Sequence, residues 1–127
     1  MIKNIKAANT CIKDGFRAAF AGIKETILFE KSFRAMLIIG SATIAAMFYL
    51  PTSGIEKVAL LAAIFGVLIL ELVNSTIERI LDFISPEYDE RVRIIKDLMA
   101  AIVLIASLGA GVIGMIILGP FFWRLFF

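Results

Sequence analysis

The chain has 127 residues, 61% of them hydrophobic, and a formal net charge of +2. Soluble domains are only about half apolar, so the composition excludes an ordinary soluble protein and indicates one embedded in a membrane. The chain has no histidine and a single cysteine. This excludes histidine acid–base chemistry, histidine metal ligation and an intrachain disulfide.

Residues 4–29 are predicted to form an amphipathic helix. Apolar residues recur there at helical spacing, and lysines and arginines flank the apolar stripe. A basic amphipathic helix joined to membrane spans lies in the membrane interface, with its lysines toward anionic headgroups. The alternative is that it packs on the protein's own spans, and the two arrangements can coexist.

Glu30 interrupts this pattern. If the helix continued, Glu30 would lie on the apolar face with Arg34 one turn later beside it. An acid–base pair four residues apart explains its presence, and a functional carboxylate at the membrane surface explains it equally well. Both explanations stay open at this point.

Three stretches without a charged residue follow, and a bilayer core needs about 20 helical residues. The third stretch is long enough and the first is just adequate. The second has 13 uncharged residues, Val58 to Leu70, so its helix spans only if it continues past Glu71. We therefore expect an all-α membrane protein, a single membrane domain over residues 1–127. It has a surface helix at 4–29, spans at 32–50, 55–84 and 90–118, and turns at 51–54 and 85–89.

Gly119 and Pro120 are expected to end the last span, because proline cannot continue a helix without losing a hydrogen bond. Within that span, small residues four apart would let a neighbouring helix approach closely. These residues are Ser107 with Gly111, and Ala110 with Gly114.

The distribution of lysine and arginine predicts the orientation. Residues 1–34 hold seven of them and residues 79–96 hold four, whereas Lys57 and Arg124 lie at the opposite ends of the spans. The positive-inside rule places the richer side in the cytoplasm. We expect a multi-pass protein of a bacterial plasma or inner membrane, with its N-terminus cytoplasmic and its C-terminus outside.

A polar stripe follows the apolar run of the second span. On a helix, Glu71, Asn74, Glu78 and Asp82 fall within about 80° of one another. Like charges in one stripe repel unless a cation or a metal ion neutralises them. Glu71 ends the apolar run with no basic residue on its own face within a turn, and an ionisable residue at such a place indicates function.

Further polar residues are expected at the same depth. Glu30 immediately precedes the first span, and Lys96 and Asp97 immediately precede the apolar part of the third. Carboxylates gathered near a lysine are typical of a Mg²⁺–phosphate site, and a carboxylate at this depth can take a proton from a lipid hydroxyl. The alternative is that these residues mark helix ends and pair in salt bridges. This alternative is favoured for Asp82, Asp97 and Arg79.

The pattern Glu71-x-x-Asn74-Ser75-x-Ile77-Glu78-x-x-x-Asp82, followed by Lys96-Asp97, resembles the prokaryotic diacylglycerol kinase family. The segment 29–34 and Ala19-x-x-Gly22-Ile23 also resemble it, and the similarity extends over essentially the whole chain. The resemblance implies a small homotrimeric membrane kinase with a surface helix and three spans. Such a kinase moves the γ-phosphate of ATP onto a lipid alcohol at sites shared between subunits.

The resemblance also implies roles for particular residues. Glu71 matches the general base, and Glu30 and Glu78 match the carboxylates that bind ATP and its Mg²⁺. The other matching positions are Lys96 at the phosphates, Asn74 and Asp82 in the site, Glu87, Tyr88, Asp89 and Asp97 around the nucleotide, and Phe33 and Arg34 near the lipid with Glu71.

The expected function is phosphorylation of diacylglycerol to phosphatidic acid, with undecaprenol as the alternative lipid within the family. Cys11 stands where the family often has an arginine, and Met36 where some members have a glutamate; both bear on substrate handling. A cation transporter or channel is the alternative from another class, but it would place carboxylates near the bilayer midplane. A scaffold without chemistry would leave the acid stripe unexplained. The expected partners are ATP, the lipid alcohol and the bilayer, without nucleic acid.

Overall fold

The computed structural model describes residues 2–87 and 89–126, with side chains described for residues 12–87 and 89–124. Over these residues the chain forms helices and no strand, which confirms the all-α class. The chain divides into two units, Met1–Lys31 and Ser32–Phe127. The helices are α1 (Ile2–Phe29), α2 (Lys31–Tyr49), α3 (Gly54–Ile84) and α4 (Glu90–Phe126).

Three of the helices are long and apolar enough to cross a membrane. They are α2, α3 and the part of α4 up to Arg124, which confirms the expected three spans. Helix α3 has 31 residues, and a bilayer core needs only about 20. Helix α3 is therefore longer than a membrane core requires, and its C-terminal part carries the polar stripe.

Glu30 is the single residue that separates α1 from α2. Its backbone amide still donates to the Thr26 carbonyl over 2.9 Å, so the last turn of α1 is complete at this residue. The interruption expected at Glu30 is therefore present.

A capping box fixes the start of α3. The Glu56 amide donates to the Ser53 hydroxyl over 3.3 Å, and the Ser53 amide donates to the Glu56 carboxylate over 2.6 Å. This reciprocal pair satisfies two amides that have no partner within the helix. Because Pro51 stops α2 at Tyr49, the connection between the two spans is short and closed by hydrogen bonds.

The buried core of the second unit joins all three of its helices. Met47 of α2, Leu60 of α3 and Leu118 of α4 form one cluster and are each less than 9% exposed. This cluster lies near the α2–α3 connection, at the end of α3 away from the polar stripe. Along its length, α3 packs chiefly on α4.

The close approach of two helices occurs at Gly40, not at the small residues of α4. A Cβ atom at Gly40 would lie 2.9 Å from Cγ2 of Ile64, whereas one at Gly111 or Gly114 would meet nothing within 4 Å. Gly111 and Gly114 instead line a cavity of about 480 Å³ between α2, α3 and α4. The expected close packing at these two glycines is therefore absent within one chain.

Helix α4 also runs further than the sequence predicted. It continues through Gly119 and Pro120 to Phe126, although an end near Leu118 was expected. Proline removes one hydrogen bond from the helix, whereas ending the helix in apolar surroundings would leave several backbone groups without partners. Continuing the helix through Pro120 therefore costs less free energy than ending it at Leu118.

Candidate active site

Glu71 is a buried acidic residue in α3, a helix that is long and apolar enough to cross a membrane. It is 4% exposed, and Ser75, one turn later on α3, is 5% exposed. Glu71 lies about 25 Å along the helix from Gly54, which is near the far boundary of a bilayer core. Because burying a carboxyl group is costly, its presence at this depth marks a candidate functional site.

The amide of Asn74 is oriented by the next acid of the stripe. Asn74 Nδ2 donates to Glu78 Oε1 over 3.1 Å. An ionised carboxylate can only accept hydrogen bonds, so the NH₂ group must turn toward Glu78 and the amide oxygen away from that bond. That oxygen, Oδ1, is buried and has no hydrogen-bond partner. A buried acceptor without a donor is costly, and it indicates a place where a ligand would supply a donor or a cation.

An ion pair joins α3 to α4 at the end of the stripe. Lys96 Nζ lies 2.5 Å from Asp82 Oδ1. The salt bridge that the sequence analysis favoured for Asp82 is therefore present. It fixes the lysine ammonium about one helical turn beyond Glu78.

Asp97 is paired along its own helix. Arg93 Nη1 lies 2.7 Å from Asp97 Oδ2, and Arg93 Nε donates to Glu90 over 3.1 Å. The guanidinium group of Arg93 thus lies between two carboxylates of α4, and the pairing that the sequence allowed for Asp97 is also present. Arg93 was not among the predicted site residues, although its spacing of four from Asp97 is a signal that could have found it.

Asp89 immediately precedes α4 and accepts hydrogen bonds from its first turn. It accepts from the Arg91 amide over 2.8 Å, and its other oxygen pairs with the Arg91 guanidinium over 2.9 Å. The side-chain hydrogen bond from Arg91 is the main cause that lowers the pKa of Asp89 below its usual 3.8. Asp89 therefore has a structural role at this helix start, beside any role toward a nucleotide.

The structure brings part of the predicted site together within the second unit. Glu71, Asn74, Glu78 and Asp82 share one face of α3, and Lys96 reaches this face from α4. Among the residues with described side chains, no three acids or cysteines gather closely enough to hold a metal ion by themselves. Ser75 was not predicted as a site residue, although it lies one turn from Glu71 on the same face.

The remaining predicted positions lie elsewhere or are not described. Glu30 lies between α1 and α2, in the first unit. That Glu30 and Glu78 belong to the same site stays a prediction. Phe33 is buried and Arg34 is exposed at the start of α2, while Glu87 is exposed in the α3–α4 loop. Tyr88, predicted near the nucleotide, lies outside the described residues.

Comparison with known proteins gives a consistent result. Residues 17–118 match the family model described as prokaryotic diacylglycerol kinase. A diacylglycerol kinase of Escherichia coli (strain K12) is 33% identical over 118 residues, which cover 93% of this chain and 90% of that protein. An undecaprenol kinase of Bacillus subtilis (strain 168) is 30% identical over 105 residues, covering 83% of this chain and 85% of that protein.

A diacylglycerol kinase of Synechocystis sp. is 33% identical over 106 residues. The match covers 83% of this chain but 61% of that protein. The chain therefore spans nearly the full length of the E. coli relative and less than two thirds of the cyanobacterial one. The matched region includes the whole polar stripe of α3 and the paired residues of α4.

Proposed function

The chain belongs to the prokaryotic diacylglycerol kinase family, and from this membership we propose that it is a membrane lipid kinase that uses ATP. Its substrate is a lipid alcohol, with diacylglycerol first and undecaprenol second, because relatives carry both names. The observation that carries the proposal is the buried Glu71 beside Asn74 and Glu78, where the apolar run of α3 ends. A lipid hydroxyl and a water-soluble nucleotide can meet only at such a boundary.

Glu71 acts as the general base in the proposed reaction. Its carboxylate accepts the proton of the lipid hydroxyl, whose oxygen forms a new bond to the γ-phosphorus of ATP. The bond between that phosphorus and the β–γ bridging oxygen breaks, and ADP leaves with the electron pair. With diacylglycerol as substrate the product is phosphatidic acid. Phosphoryl transfer depends mainly on positioning and charge neutralisation, which a short polar stripe can supply.

The donor set at the stripe fits Mg²⁺. Glu78 offers a carboxylate and Asn74 a buried amide oxygen without a partner, and Mg²⁺ takes oxygen ligands. Mg²⁺ is commonly held by one or two carboxylates with substrate phosphates and water, so a cluster of three acids is not required. The bound ion would neutralise charge on the transferring phosphate. Glu30 is proposed as a further carboxylate for it, on the resemblance alone.

Lys96 is the proposed cation for the ATP phosphates. Its ammonium group lies at the exposed end of the stripe, beyond Glu78, where a nucleotide arriving from water would first meet α3. Glu87, Tyr88, Asp89 and Asp97 are proposed to border the nucleotide, and Phe33 with Arg34 to border the lipid. With the positive-inside rule, this end of α3 faces the cytoplasm, where ATP is present.

The active form is proposed to be a homotrimer with sites shared between subunits. Large apolar side chains such as Phe65, Ile69 and Ile105 are more than half exposed in the single chain. Lipid and neighbouring subunits can both cover such surfaces. The proposal rests on the family resemblance, and a monomer would then be inactive.

The test is a transfer assay on purified protein in lipid micelles. The protein receives ATP labelled at the γ-phosphate and, in separate reactions, diacylglycerol, undecaprenol and a long-chain alcohol. We expect label on diacylglycerol, and at least roughly a hundredfold less when Glu71→Gln protein of the same oligomeric state replaces the wild type. Label on undecaprenol alone would replace the proposed lipid, and a folded wild type that labels no lipid would overturn the kinase assignment.

A further inference from the structure

Lys96 is held by a carboxylate of the facing helix, not left in solvent. Its Nζ atom lies 2.5 Å from Asp82 Oδ1, although the two residues are 14 apart in sequence. Asp82 is therefore the contact through which α3 fixes the end of a long side chain that originates on α4. The side chain of Lys96 is 35% exposed and that of Asp82 is 66% exposed.

Stability does not explain why this pair is present. Ion pairs this exposed to solvent add little to the stability of a folded protein, because water screens them and two side chains must be ordered. Asp97, which is next to Lys96 in sequence, does not take the place of Asp82, since it is already paired with Arg93 over 2.7 Å. The effect of Asp82 is thus better sought in where it places the ammonium group.

Asp82 continues the row that contains the proposed site. It follows Glu78 by four residues, as Glu78 follows Asn74, so the three side chains lie one above another on α3. Lysine has a flexible four-carbon stem, and an unpaired lysine here would sample many rotamers. Through Asp82 the ammonium group is instead held at the end of this row, about one turn from Glu78.

We propose that Asp82 is a positioning residue for phosphoryl transfer, which holds the Lys96 ammonium group where the phosphates of ATP meet α3. The inference rests on the proposed kinase function and adds to it a role for a residue that does not itself touch the reacting atoms. Ordering the cation before ATP arrives lowers the entropy lost on binding. The role therefore predicts an effect on ATP affinity more than on the lipid.

Repulsion between Asp82 and ATP would act in the opposite direction. The direction in which ATP affinity changes when Asp82 is removed is therefore informative. Asp82 carries a negative charge close to where ATP would bind, so its removal would strengthen binding if charge repulsion dominated. If positioning dominates, removal weakens binding. Asparagine removes the charge while keeping nearly the same shape, and the side chain is exposed, so Asp82→Asn is expected to fold.

The experiment measures kcat and KM for MgATP and for the lipid with purified full-length protein. For Asp82→Asn we expect KM for MgATP to rise roughly tenfold, with KM for the lipid unchanged, and for Asp82→Glu we expect most of the loss to be restored. In a Lys96→Met background, Asp82→Asn should have no further effect, because Asp82 acts through Lys96. Glu90→Gln is the matched control, since it removes an exposed carboxylate at the same end of α4 that pairs with Arg93.

Three results would overturn the inference within an active enzyme. One is a KM for MgATP that is unchanged or lower in Asp82→Asn. Another is an equal effect of Asp82→Asn with and without Lys96. A rise in KM for Glu90→Gln as large as that for Asp82→Asn would also overturn it, because any ion pair at this end of α4 would then suffice. A wild type that phosphorylates no lipid would overturn the proposed function itself, and is thereby distinguished from these outcomes.

Discussion

Asn74 donates a hydrogen bond to Glu78 over 3.1 Å and leaves its own amide oxygen buried without a partner. The first contact orients a carboxylate that we propose as a Mg²⁺ ligand, and the second offers an acceptor in the same place. Most buried acceptors in folded proteins have a hydrogen-bond partner. The pair therefore favours a site built for a ligand.

This relationship predicts that Asn74→Ala lowers the activity strongly but changes the stability little. The variant loses the hydrogen bond to Glu78 but also the buried acceptor without a partner, and these two effects oppose each other. We expect the free energy of unfolding in detergent to change by no more than about 1 kcal/mol, while lipid phosphorylation falls at least roughly a hundredfold. Thermal unfolding and the transfer assay measure the two quantities. A loss of stability large enough to account for the lost activity would contradict the prediction.

Glu71→Gln should remove the proposed general base while leaving the fold in place. Proton abstraction by a positioned base typically contributes about 10²–10⁴ in rate, so kcat should fall within that range with KM for MgATP little changed. Glu56→Gln is a suitable control, because it removes another carboxylate of the same helix at the capping box far from the site. Retained kcat in Glu71→Gln would sink the base assignment.

Glu78→Gln should weaken the response of the enzyme to Mg²⁺. Glutamine keeps an oxygen but loses the charge, and altering a metal site in this way typically costs about 10–100-fold in affinity. We therefore expect the Mg²⁺ concentration at half-maximal rate to rise by about tenfold or more. The measurement is a Mg²⁺ titration at saturating ATP. An unchanged titration curve, with activity lost by another route, would remove Glu78 from the metal site.

The fold was largely predictable from the sequence because each helix carries its own periodic signal. The interruption at Glu30 and the length of α3 both follow from where apolar and charged residues fall. The interhelical contacts were not predictable in the same way. Both Asp82 and Asp97 are near Lys96 by sequence reasoning, and only the register of α3 against α4 selects Asp82. For the same reason the polar stripe of α3 was predictable, but the unpartnered oxygen of Asn74 was not.

The pKa of Asp89 predicts a loss of stability in acid. The hydrogen bond from Arg91 lowers this pKa below its usual 3.8, so the folded state binds fewer protons than the unfolded state in this range. The contribution of Asp89 to stability is therefore complete above about pH 4 and lost as pH falls through the lowered pKa. We expect Asp89→Asn to show a weaker decline of the unfolding temperature below pH 4 than the wild type. Identical declines in the two proteins would contradict this.

Gly40→Ala should destabilise the packing of α2 on α3. The added Cβ would lie 2.9 Å from Cγ2 of Ile64, and the branched isoleucine cannot easily turn that methyl group away in a helix. The helices must then separate, at a cost of about 1–3 kcal/mol. Thermal unfolding in detergent measures this cost, and Gly40→Ala should cost less in an Ile64→Ala background, where the opposing methyl group is absent.

Gly114→Ala is the matched control for that substitution. A Cβ at Gly114 would meet nothing within 4 Å in the single chain, and alanine is favoured over glycine in a helix by about 1 kcal/mol. We therefore expect this variant to be as stable as the wild type or slightly more so. If Gly114→Ala destabilised the protein as much as Gly40→Ala, the face of α4 that lines the cavity would have to be packed against another subunit. Comparing the oligomeric state of the two variants by size-exclusion chromatography separates these cases, because only a contact between subunits would shift the assembly along with the unfolding temperature.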